Sequence, residues 1–430
     1  SDVYKRQGLY KMVHKNHPST IWKRTSKKNY DWHWKHFDAL LKEYTHRYGK
    51  HHATERLLNI LSTPPLNINC EGPFTDPPQC MPDYCKTDNV IVAYRNYYKG
   101  EKMDWLKDSI MMTKGVGKNS DGETHHLTEK VQGTYQYTMG PYSDPVMSIK
   151  PGDTVVVETR DAFEGKIQKE SDKPSEKLEM PFLNPQNGPI MIEGAEKGDA
   201  IAVYIDKMVP RGDNPLGTCC MIEEFGALTG TSYTATLNDP LPEKVRKINL
   251  DEKQVYWSDR ITLPYKPHIG TLSCSPEIDS INSLTPDNHG GNMDLPDMGP
   301  GSITYLPVRS PGGRLFIGDA HACQGDGEVC GVAVEYPTTT TIKVDLIKNY
   351  TIEWPRLETE NMLMAIGSTR PLEDATRIAY RELVRWLAKD FKFDQWDIYM
   401  ILSQVGKVRL GNFVDQKYTV GAGIEKKYLK

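Results

Sequence analysis

The feature that most constrains the fold is a series of short β-type runs, separated by glycine and proline, that begins near residue 125. Two of them share a form: 154–159 (TVVVET) follows the turn 150–153 (KPGD), and 200–205 (AIAVYI) follows 196–199 (EKGD). Similar runs occupy 303–308, 314–317, 329–335 and 340–346. The connections are too short for the crossover helices of βαβ units, so the pattern predicts an α+β, mainly β fold of β-sandwich or barrel type.

Two helices are predicted towards the end of the chain. Residues 371–389 place their apolar side chains on one face at helical spacing, and 394–405 form a second helix that packs beside the first. Apolar stripes of this kind are typical of core-packing surfaces. We therefore expect these helices to carry no chemistry.

The charge is distributed unevenly along the chain. Residues 1–120 hold 20 Lys and Arg against 12 Asp and Glu, whereas the remainder holds 33 against 45. The change falls over the glycine-containing stretch 115–122 (GVGKNSDG), as at a domain boundary. The sequence thus predicts a small basic helical domain over 1–120, with helices at 29–48 and 90–98, and a second domain over 121–430.

The basic, aromatic character of residues 1–120 has two interpretations. One is a DNA-binding or repair-type domain that contacts phosphates and stacks on bases. The other, which we favour, is a packed helical domain with aromatic residues in its core and solvated lysines. Salt-dependent binding of a DNA probe would distinguish them.

Four segments of this region resemble a small phage-encoded family, some of whose members are labelled pyrimidine-dimer DNA glycosylase-like: 17–22 (HPSTIW), 29–32 (NYDW), 43–50 (EYTHRYGK) and 93–98 (AYRNYY). Residues 1–7 (SDVYKRQ) resemble a translated sequencing adapter. Together these suggest that the N-terminal third was joined to the rest during sequence assembly. A continuous PCR product across codons 100–140 from source DNA would contradict this hypothesis.

No stretch approaches the roughly 18–20 apolar residues that a bilayer crossing needs. No basic segment followed by an apolar run marks a secretory signal. The eight cysteines in 430 residues are too sparse for a disulfide scaffold. These features predict a cytoplasmic protein with free thiols.

The densest group of functional side chains lies in the loop 318–328 (GDAHACQGDGE), directly after an apolar run. If the strand persists, Asp319 and His321 point to the same face. The glycines at 325 and 327 allow a reversal that returns Asp326 or Glu328 to that face. Two carboxylates and an imidazole suit a zinc-type site with three protein ligands and a water. The alternative, a glycine-rich turn with solvated acids, is the less favoured interpretation.

Two further loops contain candidates. Residues 287–294 (DNHGGNMD) provide the imidazole of His289, the amide of Asn292 and the carboxylate of Asp294, and the Asn292 amide is suited to donate a hydrogen bond to a developing oxyanion. Asp161 ends the first strand run, where an aspartate is usually a turn residue. The sequence evidence for a functional role is weaker at these two places than in the loop 318–328.

Several segments, in this order, resemble the acetamidase/formamidase family over about residues 123–430. They are 125–127 (HHL), 151–162 (PGDTVVVETRDA), 184–190 (NPQNGPI), 193–195 (EGA), 289–294 (HGGNMD), 318–328 (GDAHACQGDGE), 414–415 (VD) and 419–420 (TV). The resemblance implies hydrolysis of formamide or acetamide to the carboxylate and ammonia. It also implies a β-rich α+β fold, a homo-oligomer, and a divalent metal, with zinc expected and calcium as an addition.

On this basis the predicted metal ligands are drawn from a pool of five residues: Asp161, His289, Asp319, His321 and Glu328. Whichever of Asp326 and Glu328 is not a ligand is predicted to act as the base, and Asn292 to stabilise the oxyanion. His321 is placed among the catalytic residues as well.

Two alternatives stay open from the sequence. In a metal-free mechanism, Cys323 is the nucleophile beside His321. In a non-catalytic alternative, the β-rich domain binds a small polar ligand without converting it.

Overall fold

The computed structural model describes residues 18–48, 50–65, 68, 71–79, 86, 88, 122–223, 225–229 and 241–429 of the 430-residue chain. The chain forms two compact units, residues 1–109 and 110–430. The helix predicted at 90–98 lies outside the described residues. No described helix combines the length and apolar character that a membrane crossing requires.

The first unit is helical where it is described. Its elements are α1 (Pro18–Trp22), α2 (Lys27–Tyr48), a 3₁₀ turn (Ala53–Leu57) and α3 (Leu58–Leu61). Helix α2 confirms the prediction for 29–48 and begins two residues earlier. Its aromatic side chains hold the neighbouring segments, since Tyr30 Oη donates to the Leu61 carbonyl at 2.9 Å and Trp34 Nε1 to the Leu58 carbonyl at 3.0 Å.

The second unit is mainly β. Its strands are β1 (Thr124–Leu127), β2 (Thr138–Met139), β3 (Met147–Ile149), β4 (Thr154–Glu158), β5 (Gln186–Ile192), β6 (Ala200–Pro210), β7 (Leu216–Met221), β8 (Lys244–Leu250), β9 (Gln254–Ser258), β10 (Ile261–Pro264), β11 (His268–Ser273), β12 (Ile281–Asn282), β13 (Gly290–Asn292), β14 (Ile303–Pro307), β15 (Leu315–His321), β16 (Thr338–Ile347), β17 (Arg356–Glu358), β18 (Met362–Thr369), β19 (Lys407–Asn412) and β20 (Tyr418–Glu425).

Few of the described residues of this unit lie in helices. They are α4 (Glu129–Gln132), α5 (Pro174–Lys177), α6 (Leu372–Phe391), α7 (Gln395–Val405) and a final 3₁₀ turn (Lys426–Tyr428). Helices α6 and α7 confirm the two helices predicted from apolar periodicity. The mainly β, α+β class predicted from the sequence is therefore confirmed.

The strands in the described part of the chain form one large sheet and three smaller ones. The nine-stranded sheet has the order β1-β4-β16-β6-β14-β17-β18-β20-β19. The five-stranded sheet has the order β13-β11-β15-β5-β3, the four-stranded sheet β10-β9-β8-β7, and β12 pairs with β2. Pairing is antiparallel except for β1 with β4 and β3 with β5. Mostly antiparallel sheets follow from the short connections, which leave no room for crossover helices.

Each of the two glycine–aspartate turns recognised in the sequence directly precedes a strand. Asp153 accepts from the Lys150 backbone N–H at 2.8 Å, immediately before β4. Asp199 accepts from the Glu196 N–H at 2.9 Å, immediately before β6, and Lys348 Nζ lies 2.7 Å from its Oδ2. Each aspartate thus closes the tight turn from which its strand begins.

One predicted strand, 329–335, is wrong. The structure forms an irregular segment there, and only Glu335 makes isolated bridges, to Thr218 and His321. Glu328 and Gly331 have positive φ angles of 50° and 81°, which reverse the chain at a point where its composition favours β-structure. Val332 and Val334 are buried in this loop instead of in a sheet.

The sheet that positions the site is the five-stranded one. Every residue of β11, β13 and β15 is buried. Polar side chains at the ends of these strands consequently lie in an environment with little access to water. Their hydrogen bonds and charges must be satisfied within the protein.

Candidate active site

Three neighbouring strands bring the site residues together. In the pairing of β11 with β15, His268 lies opposite His321, and Thr271 opposite Gly318. Thr271 also lies opposite Asn292 of β13. The register therefore collects side chains from three distant parts of the sequence at one edge of the sheet.

His321 is the centre of the cluster. Its Nε2 lies 3.4 Å from Asp319 Oδ1 and 3.3 Å from Glu335 Oε2. The predicted proximity of Asp319 and His321 is present. Asp319 has a φ of 58°, an unusual conformation that accompanies this placement of its carboxylate beside the imidazole.

The other ring nitrogen of His321 is held by Gln324. Gln324 Nε2 donates to the backbone carbonyls of Asp294 at 2.7 Å and Gly411 at 2.9 Å, so its Oε1 must act as the acceptor. That oxygen lies 2.8 Å from His321 Nδ1. Because Nδ1 carries the proton in this arrangement, the neutral imidazole presents the Nε2 lone pair towards the two carboxylates. A lone pair facing two carboxylates requires a shared proton or a cation.

The cluster carries a large excess of acidic groups. Five buried carboxyl groups surround or adjoin His321: Asp294, Asp319, Glu328, Glu335 and Asp415. One imidazolium could compensate only one of these charges. Buried carboxylates without compensation are strongly unfavourable, so protons or cations must accompany this cluster.

The pKa values reflect this crowding. Burial raises the pKa of Glu335 and that of Asp415 to about 7, and it raises the pKa of Asp294 and Glu328 as well. Burial by itself lowers the pKa of His321, but Glu335 and Asp319 outweigh this effect and raise it. These shifts identify groups that hold protons when no cation balances them.

His268 differs from its neighbour. Burial and the adjacent His321 lower the pKa of His268 to about 3, so it is neutral near pH 7. Its Nε2 lies 3.1 Å from Gln324 Oε1, the same oxygen that accepts from His321. His268 thus supports the orientation of Gln324 without adding charge.

The absence of a side chain at Gly270 makes space among the carboxylates. A Cβ there would lie 2.5 Å from Asp319 Oδ2 and 2.6 Å from Asp294 Oδ1. Asp294 Oδ1 is buried and has no hydrogen-bond partner among the described residues. Two carboxylate oxygens directed at one small space, one of them unpaired, fit a cation.

Two overlapping groups can hold a metal ion among the described residues. One is Asp294, His321 and Glu328, and the other is Asp319, His321 and Glu335. In each group, one ligand atom per residue lies within 4.8 Å of the other two. Imidazole with carboxylates is a ligand set that zinc accepts.

Asn292 is part of a buried amide–carboxylate network. Its Nδ2 donates to Asp415 Oδ2 at 2.9 Å, and its Oδ1 lies 2.6 Å from Thr271 Oγ1. Asn412 Nδ2 donates in turn to Asp294 Oδ2 at 3.0 Å. The network fixes the positions of Asp294 and Asp415 beside the cluster.

A cavity of about 30 Å³ adjoins these groups. Its polar lining consists of Asn184, Asn292, Asp319, Glu328, Glu335 and Asp415. Its apolar lining includes Phe163, Leu183, Phe225 and Val332. A compartment this small, with one acidic wall and one apolar wall, restricts any ligand to a very small polar molecule.

Of the two acids at the end of the loop 318–328, the structure brings only Glu328 into the cluster. Gly327 has a φ of 87° and approaches the turn after β19 so closely that a Cβ would lie 2.4 Å from the Phe413 ring. This approach directs Glu328 inward. The Asp326 side chain is 53% exposed, and Arg409 Nη1 lies 3.3 Å from its Oδ1.

Two of the five predicted ligands, Asp161 and His289, lie outside both potential metal groups. Asp161 Oδ1 accepts from the backbone N–H of Phe163 at 2.8 Å, so this aspartate stabilises a turn. His289 is completely buried, and burial lowers its pKa to about 4, so the imidazole is neutral. Neither side chain is brought together with His321.

Sequence reasoning missed several members of the cluster as site residues. Asp294 was a candidate carboxylate of its loop but was not placed among the ligands or the bases. Gln324 lies in the loop 318–328 and Asp415 in a segment of the family resemblance, and neither was assigned a role. Glu335 and His268 carry no local signal, because each is a single polar residue next to an apolar stretch. Their participation follows from strand register and from the reversal at Gly331.

Fold and site together define a class: a mainly β protein with a buried histidine–carboxylate centre that can hold a metal ion. Residues 127–285 and 278–417 match the acetamidase/formamidase family, and the chain belongs to this family.

Solved structures agree with this assignment. An acetamidase from Yersinia enterocolitica is 71% identical, with a TM-score of 0.74, over 76% of this chain and 99% of that chain. An acetamidase from Bacillus halodurans is 30% identical, with a TM-score of 0.64, over 70% of this chain and 98% of that one.

Relatives found by sequence agree as well. A formamidase from Methylophilus methylotrophus is 28% identical over 259 residues, which are 47% of this chain. The chain spans 61%, 62% and 63% of the lengths of three curated relatives that it matches by sequence.

Proposed function

We propose that the protein hydrolyses a short-chain amide, formamide or acetamide, to the carboxylate and ammonia. The observation that carries this proposal is the convergence of Asp319 and Glu335 on His321 Nε2, beside a small cavity. Membership of the acetamidase/formamidase family supports the same reaction. The apolar wall of the cavity favours a short acyl group over a charged one.

We propose that Asp319, His321 and Glu335 hold a divalent cation, with zinc as the expected ion. Such an ion would supply Lewis-acid activation of water and of the amide carbonyl. The fixed Nδ1 proton of His321 leaves Nε2 available as a ligand atom. The additional calcium stays a prediction, which the number of nearby carboxylates supports because calcium prefers oxygen ligands.

The side chains of the protein itself provide the proton transfers. Glu328 lines the cavity, and burial raises its pKa, which makes its carboxylate a stronger base than an exposed one. In the proposed reaction Glu328 takes a proton from the attacking water and gives it to the amide nitrogen as the C–N bond breaks. Asn292 has a second Nδ2 proton beyond the one donated to Asp415, and this proton is available to the carbonyl oxygen.

Ammonia release by the full chain tests this proposal. Formamide and acetamide should both be assayed, before and after treatment with a chelator and after addition of zinc. We expect chelation to abolish ammonia release and zinc to restore it, because the acidic cluster needs a cation to hold ionised carboxylates together.

Three results would contradict parts of the proposal. Activity indifferent to chelation would exclude the cation from the mechanism. A folded, metal-loaded protein inactive on both amides would exclude this substrate class. Binding of amide without ammonia release would favour the non-catalytic ligand-binding alternative.

Replacing Cys323 with alanine should leave the rate of amide hydrolysis within about twofold of the unmodified protein. Burial raises the pKa of Cys323 to about 11, so little thiolate is present near neutral pH. His321 directs its ring nitrogens to Gln324, His268, Asp319 and Glu335. The steady-state rate on formamide measures the effect. A loss of a hundredfold or more in a folded variant would instead support Cys323 as the nucleophile.

A homo-oligomer in the cytoplasm remains part of the proposal. Helix α7 offers a surface for self-association, because Trp396, Tyr399 and Met400 are 66%, 60% and 60% exposed. Large exposed apolar side chains on one helix are typical of contact surfaces. Sedimentation velocity tests the assembly, and a monomer at micromolar concentration would contradict it.

Cell fractionation tests the predicted cytoplasmic location, and a protein found outside the cytoplasm would contradict that prediction.

A further inference from the structure

A second group of reactive side chains lies beside the candidate active site. Cys219 on β7 and Cys330 in the segment 328–335 direct their thiols at the same backbone carbonyl. Both thiols donate to the carbonyl oxygen of Val332, Cys330 Sγ at 3.1 Å and Cys219 Sγ at 3.7 Å. Cys330 is exposed, whereas Cys219 is only partly accessible. Two thiols that share one acceptor oxygen, one of them open to solvent, are placed for disulfide formation.

This pair is connected to the carboxylate cluster through short segments of backbone. Cys330 lies two residues after Glu328, and the Gly331 N–H donates to the Glu328 carbonyl at 2.7 Å. On the other side, Thr218 precedes Cys219 and exchanges backbone hydrogen bonds with Glu335 at 2.8 and 2.9 Å. Cys330 therefore lies in the segment that contains Glu328 and Glu335, and Cys219 lies on the strand whose Thr218 pairs with Glu335.

We propose that Cys219 and Cys330 form a reversible disulfide when the protein meets a low-molecular-weight disulfide such as glutathione disulfide, and that this bond lowers the activity of the adjacent site. The disulfide itself does not depend on the proposed function. The effect on activity rests on it.

The chemistry is two successive thiol–disulfide exchanges. The exposed sulfur of Cys330 attacks one sulfur of glutathione disulfide, forms a mixed disulfide and releases one glutathione. The Cys219 sulfur then attacks the Cys330 sulfur, forms the internal bond and releases the second glutathione. Both cysteines lose their thiol hydrogens, and one glutathione disulfide is reduced to two glutathione thiols.

Bond formation changes the local structure. The sulfurs must leave their shared acceptor and approach each other to about 2.05 Å. Val332 O loses both thiol donors at once, and its residue lines the cavity. We therefore expect the segment 328–335 to shift and the rate of amide hydrolysis to fall at least fivefold. A disulfide at an exposed position is accessible to reductants, so the loss should be reversible.

The test uses the full, metal-loaded protein incubated with glutathione disulfide. Non-reducing peptide mapping should find the Cys219 and Cys330 peptides linked, and dithiothreitol should release them and restore activity. Cys330→Ser should retain its activity through the same treatment. Cys323→Ser is the matched control, because Cys323 lines the same surface groove as Cys219 and Cys330, and it should still be inhibited by oxidation.

Several outcomes would overturn the proposal. Separate Cys219 and Cys330 peptides after treatment, in a folded protein, would exclude the disulfide. A stable glutathione adduct on Cys330 would show that Cys219 does not complete the exchange. Linked peptides with unchanged activity would exclude the regulatory effect while leaving the disulfide. Peptide mapping needs no enzymatic activity, so failure of the proposed function would be distinguishable from each of these.

Discussion

Changing Glu328 to glutamine is expected to lower kcat for amide hydrolysis about 10²–10⁴-fold, the usual contribution of a general base. The amide side chain keeps the size of the original but cannot accept the proton of the attacking water. Zinc content should be unchanged, because the proposed ligands Asp319, His321 and Glu335 are retained. Steady-state kinetics with formamide and metal analysis of the same sample measure both quantities.

Asp326→Asn is the matched control for this variant. Asp326 lies two residues from Glu328 in the same loop, but its carboxylate is exposed beside Arg409. We expect its kcat to remain within about twofold of the unmodified protein. Equal losses in the two variants would show that the loop as a whole, and not the Glu328 carboxylate, supports activity. Loss of zinc from Glu328→Gln alone would make Glu328 a ligand instead of the base.

Replacing Arg356 with methionine is expected to reduce the free energy of unfolding by about 3–5 kcal/mol, because it leaves Glu382 as an uncompensated buried charge. Arg356 Nε and Nη2 donate to Glu382 Oε1 at 2.9 and 2.6 Å, and Nη1 donates to Tyr350 Oη at 2.6 Å. The guanidinium also lies 5.0 Å from the Trp386 ring centroid. These contacts attach helix α6 to the nine-stranded sheet. Urea denaturation followed by tryptophan fluorescence measures the loss.

The double variant Arg356→Met with Glu382→Leu serves as the control for charge. Replacing a buried ion pair with apolar side chains is often neutral or stabilising, so the double variant should be more stable than Arg356→Met. A double variant as unstable as the single one would show that packing, not the unpaired charge, causes the loss. A single variant that loses less than about 1 kcal/mol would contradict the buried-charge explanation.

Much of the fold could be predicted from local sequence. The glycine–aspartate turns before β4 and β6 are readable because an aspartate that accepts from the backbone N–H three residues earlier needs only a few adjacent residues. Helices α6 and α7 are readable because their apolar periodicity matches the faces they bury. The loop at 329–335 could not be predicted from local sequence, because its β-branched composition favours a strand and the reversal at Gly331 outweighs that preference.

The candidate site, like the fold, could be predicted only in part from the sequence. The sequence by itself determined that Asp319, His321 and Glu328 lie in one glycine-rich loop after a buried strand, and that this loop resembles the acetamidase/formamidase family. Only the tertiary structure showed which of Asp326 and Glu328 reaches the cluster, since the close approach of Gly327 to Phe413 directs Glu328 inward and Asp326 stays exposed. Glu335, Asp294 and Asp415 reach the cluster through the reversal at Gly331 and through contacts with β13 and the turn after β19. Sequence spacing cannot report such contacts, because side chains from distant segments meet only when the sheet has fixed their register.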